Sequence, residues 1–250
     1  MYDSKVPLDI TVVFYTCNYL QRQNPHFWNA TQEQLKIAVG DLPIVSVSHK
    51  PIKLGHNIVL GNIGRSHLNI YRQILAGCKA SKTKYVAMAE DDILYSYSHF
   101  HTTVPRPGYF AYDMEKLSLF TWTKPPMYSF RTNRRVINQL IAHRDLLIEA
   151  LEERFAKVEE RMANGETEDN LIKVWGDIGR YERKLGVTPR HVEEFYSHDP
   201  SIVFTHPKAF GFEMNHGKKK KLGDIKMFDI PIWGKAEDLL KKAWGDQPYE

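Results

Sequence analysis

Three short apolar segments, separated by amphipathic stretches, constrain the fold of this chain more than any other feature. Residues 10–15, 43–48 and 85–89 are rich in β-branched and aromatic side chains, which is typical of strands buried on both faces. Capping and apolar spacing predict helices over residues 31–40 and 66–77 between them. Strands that alternate with helices pair in parallel through right-handed crossovers. We therefore expect an α/β fold with a mostly parallel central sheet.

The second half of the sequence is less regular. Prolines and aromatic residues interrupt short strand-like pieces over residues 100–135, which predicts a mixed sheet edge and ligand-facing loops. Helical spacing of apolar side chains predicts helices over residues 145–162, 169–185 and 235–244. A strand is expected over residues 201–205. No segment has the composition of a linker, so we expect one domain over residues 1–250.

Composition excludes several classes of protein. The 250 residues are 42% hydrophobic and 26% charged, which is ordinary for a globular chain and excludes disordered and collagen-like sequences. No apolar run is long enough to span a bilayer, and the first residues lack a signal-peptide pattern, so a cytoplasmic protein without an integral membrane segment is expected. The two cysteines lie far apart in sequence, which argues against a disulfide framework or a thiolate metal site.

An acidic triplet follows the third predicted strand directly. Ligands of open α/β sheets bind beyond the carboxyl ends of the strands, and Glu90, Asp91 and Asp92 lie there. In an extended segment, Glu90 and Asp92 point to the same side. Two carboxylates suit a hard cation such as Mg²⁺ or Mn²⁺, which keeps positions for substrate phosphates. The alternative is a solvated acidic run that caps the next segment.

The chain lacks two common phosphate-binding motifs. Neither G-x-G-x-x-G after the first strand nor G-x-x-x-x-G-K-[ST] occurs. A dinucleotide cofactor and P-loop chemistry are therefore disfavoured.

Several of these features together resemble nucleotide-sugar-dependent glycosyltransferases of the A fold, particularly the family-2 type. They are the Thr-Cys-Asn end of the first strand, the Asn62-x-Gly64-Arg65 segment, the helix that ends in Ala76-Gly77, and the acidic triplet. The resemblance covers about the first hundred residues. It implies a single Rossmann-like nucleotide-sugar-binding domain, with a nucleotide-binding half over residues 1–98. Residues 99–250 would form the acceptor-binding half, with a C-terminal helix.

The resemblance also implies roles for individual residues. It assigns the nucleotide to Thr16, Asn18, Arg65, Glu90 and Asp91, and the divalent cation to Asp92, Glu90 and His216. Glu90 takes the position of the first Asp in the family's D-x-D motif, so one of the two side chains that would bind the metal is longer than in the family. His206 is a second candidate for the late ligand; His216 is preferred because a run of lysines, residues 218–221, adjoins it.

The resemblance further requires a carboxylate that takes the proton from the acceptor hydroxyl. Asp177 is the first candidate because Trp175 and Gly176 flank it, and such a partly apolar site can raise a carboxylate pKa. Glu168 and Asp169 are the other candidates. For Asp177, a surface acid on a helix is the alternative.

The predicted function is metal-dependent transfer of a sugar from a nucleoside diphosphate to an acceptor hydroxyl. The acceptor is a saccharide or, as an alternative, hydroxymethylated pyrimidines in DNA of the kind that phages glycosylate. Only the lysine run and the basic aromatic stretch over residues 122–135 favour DNA. A metal-dependent nucleotidyltransferase and a non-catalytic nucleotide-binding module also remain open, and the oligomeric state is not predicted.

Overall fold

The computed structural model describes residues 8–130, 134–206 and 225–245. Helices alternate with strands early in the chain, and strands dominate later. The helices are α1 (Tyr19–Gln23), α2 (Pro25–Val39), α3 (His67–Ala80), α4 (Tyr97–His101), α5 (Arg144–Ala163), α6 (Glu168–Trp175), α7 (Glu182–Leu185) and α8 (Ala236–Trp244). The strands are β1 (Ile10–Thr16), β2 (Ile44–Ser48), β3 (His56–Val59), β4 (Tyr85–Glu90), β5 (Ile93–Leu94), β6 (Tyr109–Asp113), β7 (Lys116–Phe120), β8 (Tyr128–Phe130), β9 (Leu140–His143), β10 (His191–Phe195), β11 (Ser201–Thr205), β12 (Ile225–Met227), β13 (Asp229–Ile230) and β14 (Gly234–Lys235).

A seven-stranded central sheet confirms the predicted α/β architecture. Its strand order is β10-β6-β9-β4-β1-β2-β3. Only β9 runs antiparallel to its two neighbours, and every other pair in this sheet is parallel. The edge strand β3 was not predicted, because its sequence HNIV alternates too weakly in polarity to stand out.

Two hydrophobic clusters cover the two faces of this sheet. Alternate residues of β1 divide between them: Val12 and Phe14 pack with α2 and α8 on one face, whereas Val13 and Tyr15 pack with α3 and α5 on the other. This alternation follows from the period of two along a strand. Both faces are apolar because both are covered by helices, as in other mostly parallel sheets.

The second half of the chain is more regular than the sequence predicted. It contributes a five-stranded sheet in the order β12-β8-β7-β11-β5. Within it, β5 pairs antiparallel with β11 directly after the acidic triplet. The second sheet therefore joins the central sheet next to the carboxyl end of β4.

Three predicted helices have wrong bounds, and the first two are α2 and the helix predicted over residues 169–185. Helix α2 begins at Pro25, where the Asn24 side chain accepts the backbone N–H of Phe27. The predicted cap residue Thr31 instead lies inside the helix and donates to the Trp28 carbonyl. The helix predicted over residues 169–185 is divided into α6 and α7, because the backbone turns at Gly176 with a φ of 54°, a region that favours glycine.

Helix α3 continues to Ala80, so Gly77 does not end it as predicted. Gly77 is instead the point of closest approach to the sheet: a Cβ there would overlap the Val13 side chain and come within 3.2 Å of Val47 Cγ2. Because β1 and β2 each have a neighbouring strand on both sides, this contact has little room to relax.

We expect Gly77→Ala to destabilise the protein by about 1–3 kcal/mol through overpacking. Helix propensity alone would favour alanine by about 1 kcal/mol, so the two effects have opposite signs. Urea unfolding of the variant and the wild type distinguishes them. A variant with unchanged or higher stability would show that α3 does not pack on β1 this closely.

Among the described residues, no helix has both the length and the apolar character needed to cross a bilayer.

Candidate functional site

A pocket opens at the carboxyl ends of β1 and β4. From β1 the chain continues to β2 and β3 on one side of the sheet, and later returns to β4 on the other side of β1. This reversal of strand order is the position where open α/β sheets bind ligands. The pocket is lined by side chains from β1, β4, α3 and the residue after β11, namely Tyr15, Thr16, Cys17, Tyr19, Leu20, Gly64, Arg65, Ser66, Asn69, Ile70, Gln73, Glu90, Asp91, Asp92 and His206.

The acidic triplet forms one wall of the pocket. Asn138 Nδ2 donates to Glu90 Oε2 at 2.6 Å, and the Glu90 backbone N–H donates to the Tyr95 hydroxyl. Thr16 Oγ1 donates to Asp91 Oδ2 at 2.5 Å. Among the described residues, neither Glu90 nor Asp91 makes a salt bridge. These carboxylates are thus oriented by hydrogen bonds rather than by ion pairs.

Burial makes this wall unfavourable for ionised carboxylates. Burial raises the pKa of Asp91 to about 6, although the Thr16 hydroxyl and Arg65 oppose the shift. Burial also raises the pKa of Glu90; the hydrogen bond from Asn138 opposes this, and the charges of Asp91 and Asp177 raise the pKa further. A bound cation would remove this penalty.

We expect Asp91→Asn to raise the melting temperature at pH 7 in EDTA. The raised pKa means that the folded protein binds more protons than the unfolded chain between pH 4 and 6, so stability falls as pH rises through this window. The amide lacks this charge yet can still accept the Thr16 hydrogen bond. Thermal unfolding at pH 4.5 and pH 7 measures the effect. A variant that is equally stabilised at both pH values, or at neither, would contradict it.

Another wall of the pocket is formed by the amino end of α3. Ser66 caps this helix by accepting the Asn69 N–H at 3.2 Å. Gln73 Nε2, one turn on, donates to the Thr16 carbonyl at 2.8 Å and to the Val47 carbonyl at 3.2 Å, which ties the helix to the ends of β1 and β2. The positive end of a helix dipole favours anions such as phosphates.

Arg65 brings a positive side chain to the same wall. Its guanidinium lies 4.3 Å from the centre of the Tyr19 ring, and its charge lowers the pKa of Asp91. The pocket thus has an acidic wall suited to a cation and a positive wall suited to an anion. A metal-bound diphosphate carries both features.

The structure brings His206, the second candidate for the late ligand, to the pocket. The Phe204 N–H donates to the Asp92 carbonyl at 2.9 Å, and His206 follows two residues later, buried against the Trp244 ring. The predicted ligand His216 and the lysine run lie outside the described residues. The pairing of β11 with β5 could not be inferred from sequence, because β5 is only two residues long.

The donors at this wall fit a hard divalent cation, since three carboxylates and an imidazole line the pocket. However, no three His, Cys, Asp or Glu side chains within the described ranges are grouped closely enough to hold a metal on their own. Magnesium and manganese sites commonly use one or two carboxylates and leave the other positions to water and substrate phosphates.

Among the predicted site residues that the structure describes, Asn18, Asp169 and Asp177 do not line the pocket. Asn18 is buried with a left-handed backbone, and its side chain accepts the Lys50 N–H at 2.9 Å and donates to Gln21. It therefore supports the loop after β2. Asp169 is exposed in the first turn of α6, where a carboxylate stabilises the helix end.

Asp177 lies in the turn between α6 and α7. Its Oδ1 accepts the Tyr71 hydroxyl at 3.2 Å. Burial raises the pKa of Asp177, whereas His67, Tyr71, Arg180 and Arg154 lower it. Its charge raises the pKa of Glu90, so Asp177 lies near enough to the pocket wall to interact with it electrostatically.

Sequence reasoning missed several residues that orient the site. Tyr15, Asn138, Asn69 and Gln73 carry no motif, and their roles depend on contacts between segments distant in sequence. In the basic aromatic stretch, Arg135 pairs with Glu194 at 2.7 Å and Trp122 packs on Phe120. The stretch contributes β8, which lies between β12 and β7 inside the second sheet, whereas a sheet edge was predicted as one alternative.

No protein-family model matches this chain, and no curated protein matches its sequence. Among solved structures, a glycosyltransferase involved in the glycosylation of the major capsid of PBCV-1 is 9% identical, with 83% of this chain and 98% of that chain covered and a TM-score of 0.44. The bifunctional IspDF from Campylobacter jejuni is 11% identical, with 76% of this chain and 50% of that chain covered and a TM-score of 0.38. Both TM-scores are too low for either protein's activity to be transferred to this chain. The resemblance to family-2 enzymes stays a prediction.

Proposed function

We propose that this protein is a metal-dependent glycosyltransferase that moves a sugar from a nucleoside diphosphate to an acceptor hydroxyl. One observation carries the proposal: at the reversal point of strand order, the three carboxylates at the carboxyl end of β4 line the same pocket as the amino end of α3 and Arg65. This pairing of a cation-binding wall with an anion-binding wall supports a metal–diphosphate ligand.

The donor would bind with its diphosphate between the two walls. Asp92 and Glu90 would hold Mg²⁺ or Mn²⁺ together with phosphate oxygens, with His206 as a further donor on the same wall. A divalent cation supplies charge neutralisation for a departing diphosphate. Thr16, Arg65 and Asp91 would contact the nucleotide, while Asn18 would act indirectly by supporting the loop after β2.

In the proposed reaction, the acceptor oxygen forms a bond with the anomeric carbon of the sugar. The bond between that carbon and the diphosphate oxygen breaks, and the nucleoside diphosphate leaves with the electron pair. The acceptor proton passes to the Asp177 carboxylate. A half-buried carboxylate with a raised pKa suits this role because general bases work best with a pKa nearer the working pH.

The acceptor that we propose is a saccharide. The alternative of DNA depended on the lysine run, which lies outside the described residues, and on the basic aromatic stretch. In its described part, Arg135 is already paired with Glu194, so the geometry gives DNA no support of its own.

Product analysis tests the proposed function. A thermal-shift screen of nucleoside diphosphates with Mn²⁺ would first select the nucleotide, since a ligand at 100 times its dissociation constant adds about 2.7 kcal/mol of stability. The corresponding nucleotide sugars and nucleoside triphosphates would then be incubated with the protein in Mn²⁺ or EDTA. We expect free nucleoside diphosphate from one nucleotide sugar, in Mn²⁺ only, including slow hydrolysis without acceptor.

Other products would contradict the proposal in distinct ways. Pyrophosphate released from a triphosphate would indicate nucleotidyl transfer through the same acids. Tight, metal-dependent binding without any turnover, even with a panel of saccharide acceptors, would indicate a non-catalytic nucleotide-binding module.

A further inference from the structure

A buried arginine makes hydrogen bonds to the turn that carries Asp177. Arg154 lies on α5 and is only 1% exposed. Its Nη1 donates to the carbonyls of Trp175 at 2.5 Å and Gly176 at 3.1 Å, and its Nη2 donates to the Asp177 carbonyl at 3.5 Å. These carbonyls lie at and just beyond the last turn of α6, where backbone carbonyls have no N–H partner within the helix. One guanidinium therefore binds three successive carbonyls of the turn.

Glu182 completes the arrangement from the other end of the turn. Its Oε1 accepts Arg154 Nη2 at 2.6 Å and the Gly179 N–H at 2.5 Å. Like Arg154, Glu182 is buried. The ion pair thus links the start of the turn to its end, through a fork of donors that lysine could not reproduce.

Two tyrosines hold the same turn from the side of the central sheet. Tyr112 donates to the Ile178 carbonyl at 2.9 Å, and Tyr71 donates to the Asp177 carboxylate. Gly176 and Gly179 both have positive φ, and a Cβ on either would overlap a neighbouring side chain. The turn is therefore held in one conformation by several elements, although it is not part of either sheet.

Stability is a weak explanation for this ion pair. A buried arginine–glutamate pair must offset the desolvation of both charges, and apolar replacements of similar volume are often equally stable. Within the part of the chain that the structure describes, every side-chain hydrogen bond that the two residues make outside the pair goes to the turn from Trp175 to Gly179.

We propose that Arg154 and Glu182 are positioning residues that fix the turn so that the Asp177 carboxylate keeps its place beside the Tyr71 hydroxyl of α3. This inference rests on the proposed function, in which Asp177 takes the acceptor proton. Arg154 and Glu182 themselves touch neither donor nor acceptor. Misplacing a reacting group by about 1 Å can lower a rate by about 100-fold.

The test compares Arg154→Met/Glu182→Leu with wild type in the presence of Mn²⁺, the selected nucleotide sugar and water or saccharide as acceptor. We expect kcat to fall by about 10- to 100-fold, while the dissociation constant of the nucleoside diphosphate changes by less than about twofold. Adding Asp177→Asn should lower kcat strongly in wild type but have no further effect in the double variant, because the two changes act on the same group.

The control is Leu151→Ala, one turn earlier on α5 and fully buried. It destabilises the same helix but leaves the hydrogen bonds of Arg154 in place, so its kcat should match wild type well below the melting temperature. If the double variant does not fold, Glu182→Gln provides the same comparison with less change in volume.

The possible results separate the two hypotheses. Full kcat in the double variant, a full additional loss from Asp177→Asn, or an equal loss in Leu151→Ala would overturn the positioning role alone. A wild-type protein that turns over no nucleotide sugar would overturn the proposed function, and this inference with it.

Discussion

Asp92→Asn is expected to abolish metal-dependent turnover, with a loss of at least about 100-fold. Residues that only support a metal ligand already change metal affinity or activity by about 10- to 100-fold when replaced, and Asp92 is proposed to bind the cation directly. The substitution removes the charge but keeps the side-chain volume. It also spares the contact with β11, which is made by the Asp92 backbone carbonyl. Release of nucleoside diphosphate across a Mn²⁺ titration measures the effect.

Asp41→Asn is a matched control for this experiment. Asp41 is an exposed acid just before β2, at the opposite end of the sheet from the pocket. It should retain wild-type turnover and the same dependence on Mn²⁺. The metal assignment fails if Asp92→Asn keeps wild-type activity, or if wild type is equally active in EDTA.

Asp113→Ala is expected to lower the free energy of unfolding by about 3–5 kcal/mol. The Asp113 carboxylate and the His99 ring are both fully buried, with 2.8 Å between Oδ2 and Nδ1. The other oxygen accepts the N–H groups of Glu115 and Ser197. Truncation would leave these groups buried without a partner inside the protein. An unsatisfied buried polar group lowers stability more than removal of both hydrogen-bonding partners does.

The measurement is thermal or urea unfolding, and a chain of this size should melt roughly 6–20 °C lower. Asp199→Ala is the control because Asp199 makes a bond of the same kind with His198 at 2.9 Å, but the His198 side chain is 88% exposed. Exposed pairs contribute at most about 1 kcal/mol. Equal losses in the two variants would contradict the importance assigned to burial.

The sequence predicted the elements whose signal is local. Strands β1, β2 and β4 are continuous apolar runs, and α5 has an uninterrupted helical stripe, so their bounds are correct to within one or two residues. The short strands β3 and β5 escaped prediction because two to four residues carry no measurable periodicity. Their existence depends on partners that only the folded chain supplies.

The residues of the candidate site also divide into those with a local sequence signal and those that depend on distant segments. Glu90, Asp91 and Asp92 could be found because they directly follow a recognisable strand, and Arg65 because it precedes a capped helix. The contributions of His206, Asn138 and Gln73 depend on which distant segments meet. The role of Asn18 could not be predicted either, because its side-chain oxygen accepts a hydrogen bond from the backbone of the loop after β2.

The pairing of Phe204 with Asp92 has a consequence for how this protein folds. The pocket needs β11 beside β5, and the central sheet needs β9 between β4 and β6, so its walls come from segments far apart along the chain. Closing such long loops must precede any gain from the contacts, which slows folding. We therefore expect the pocket to form late, after both sheets have assembled. A ligand that binds there stabilises, by mass action, strands that it never touches.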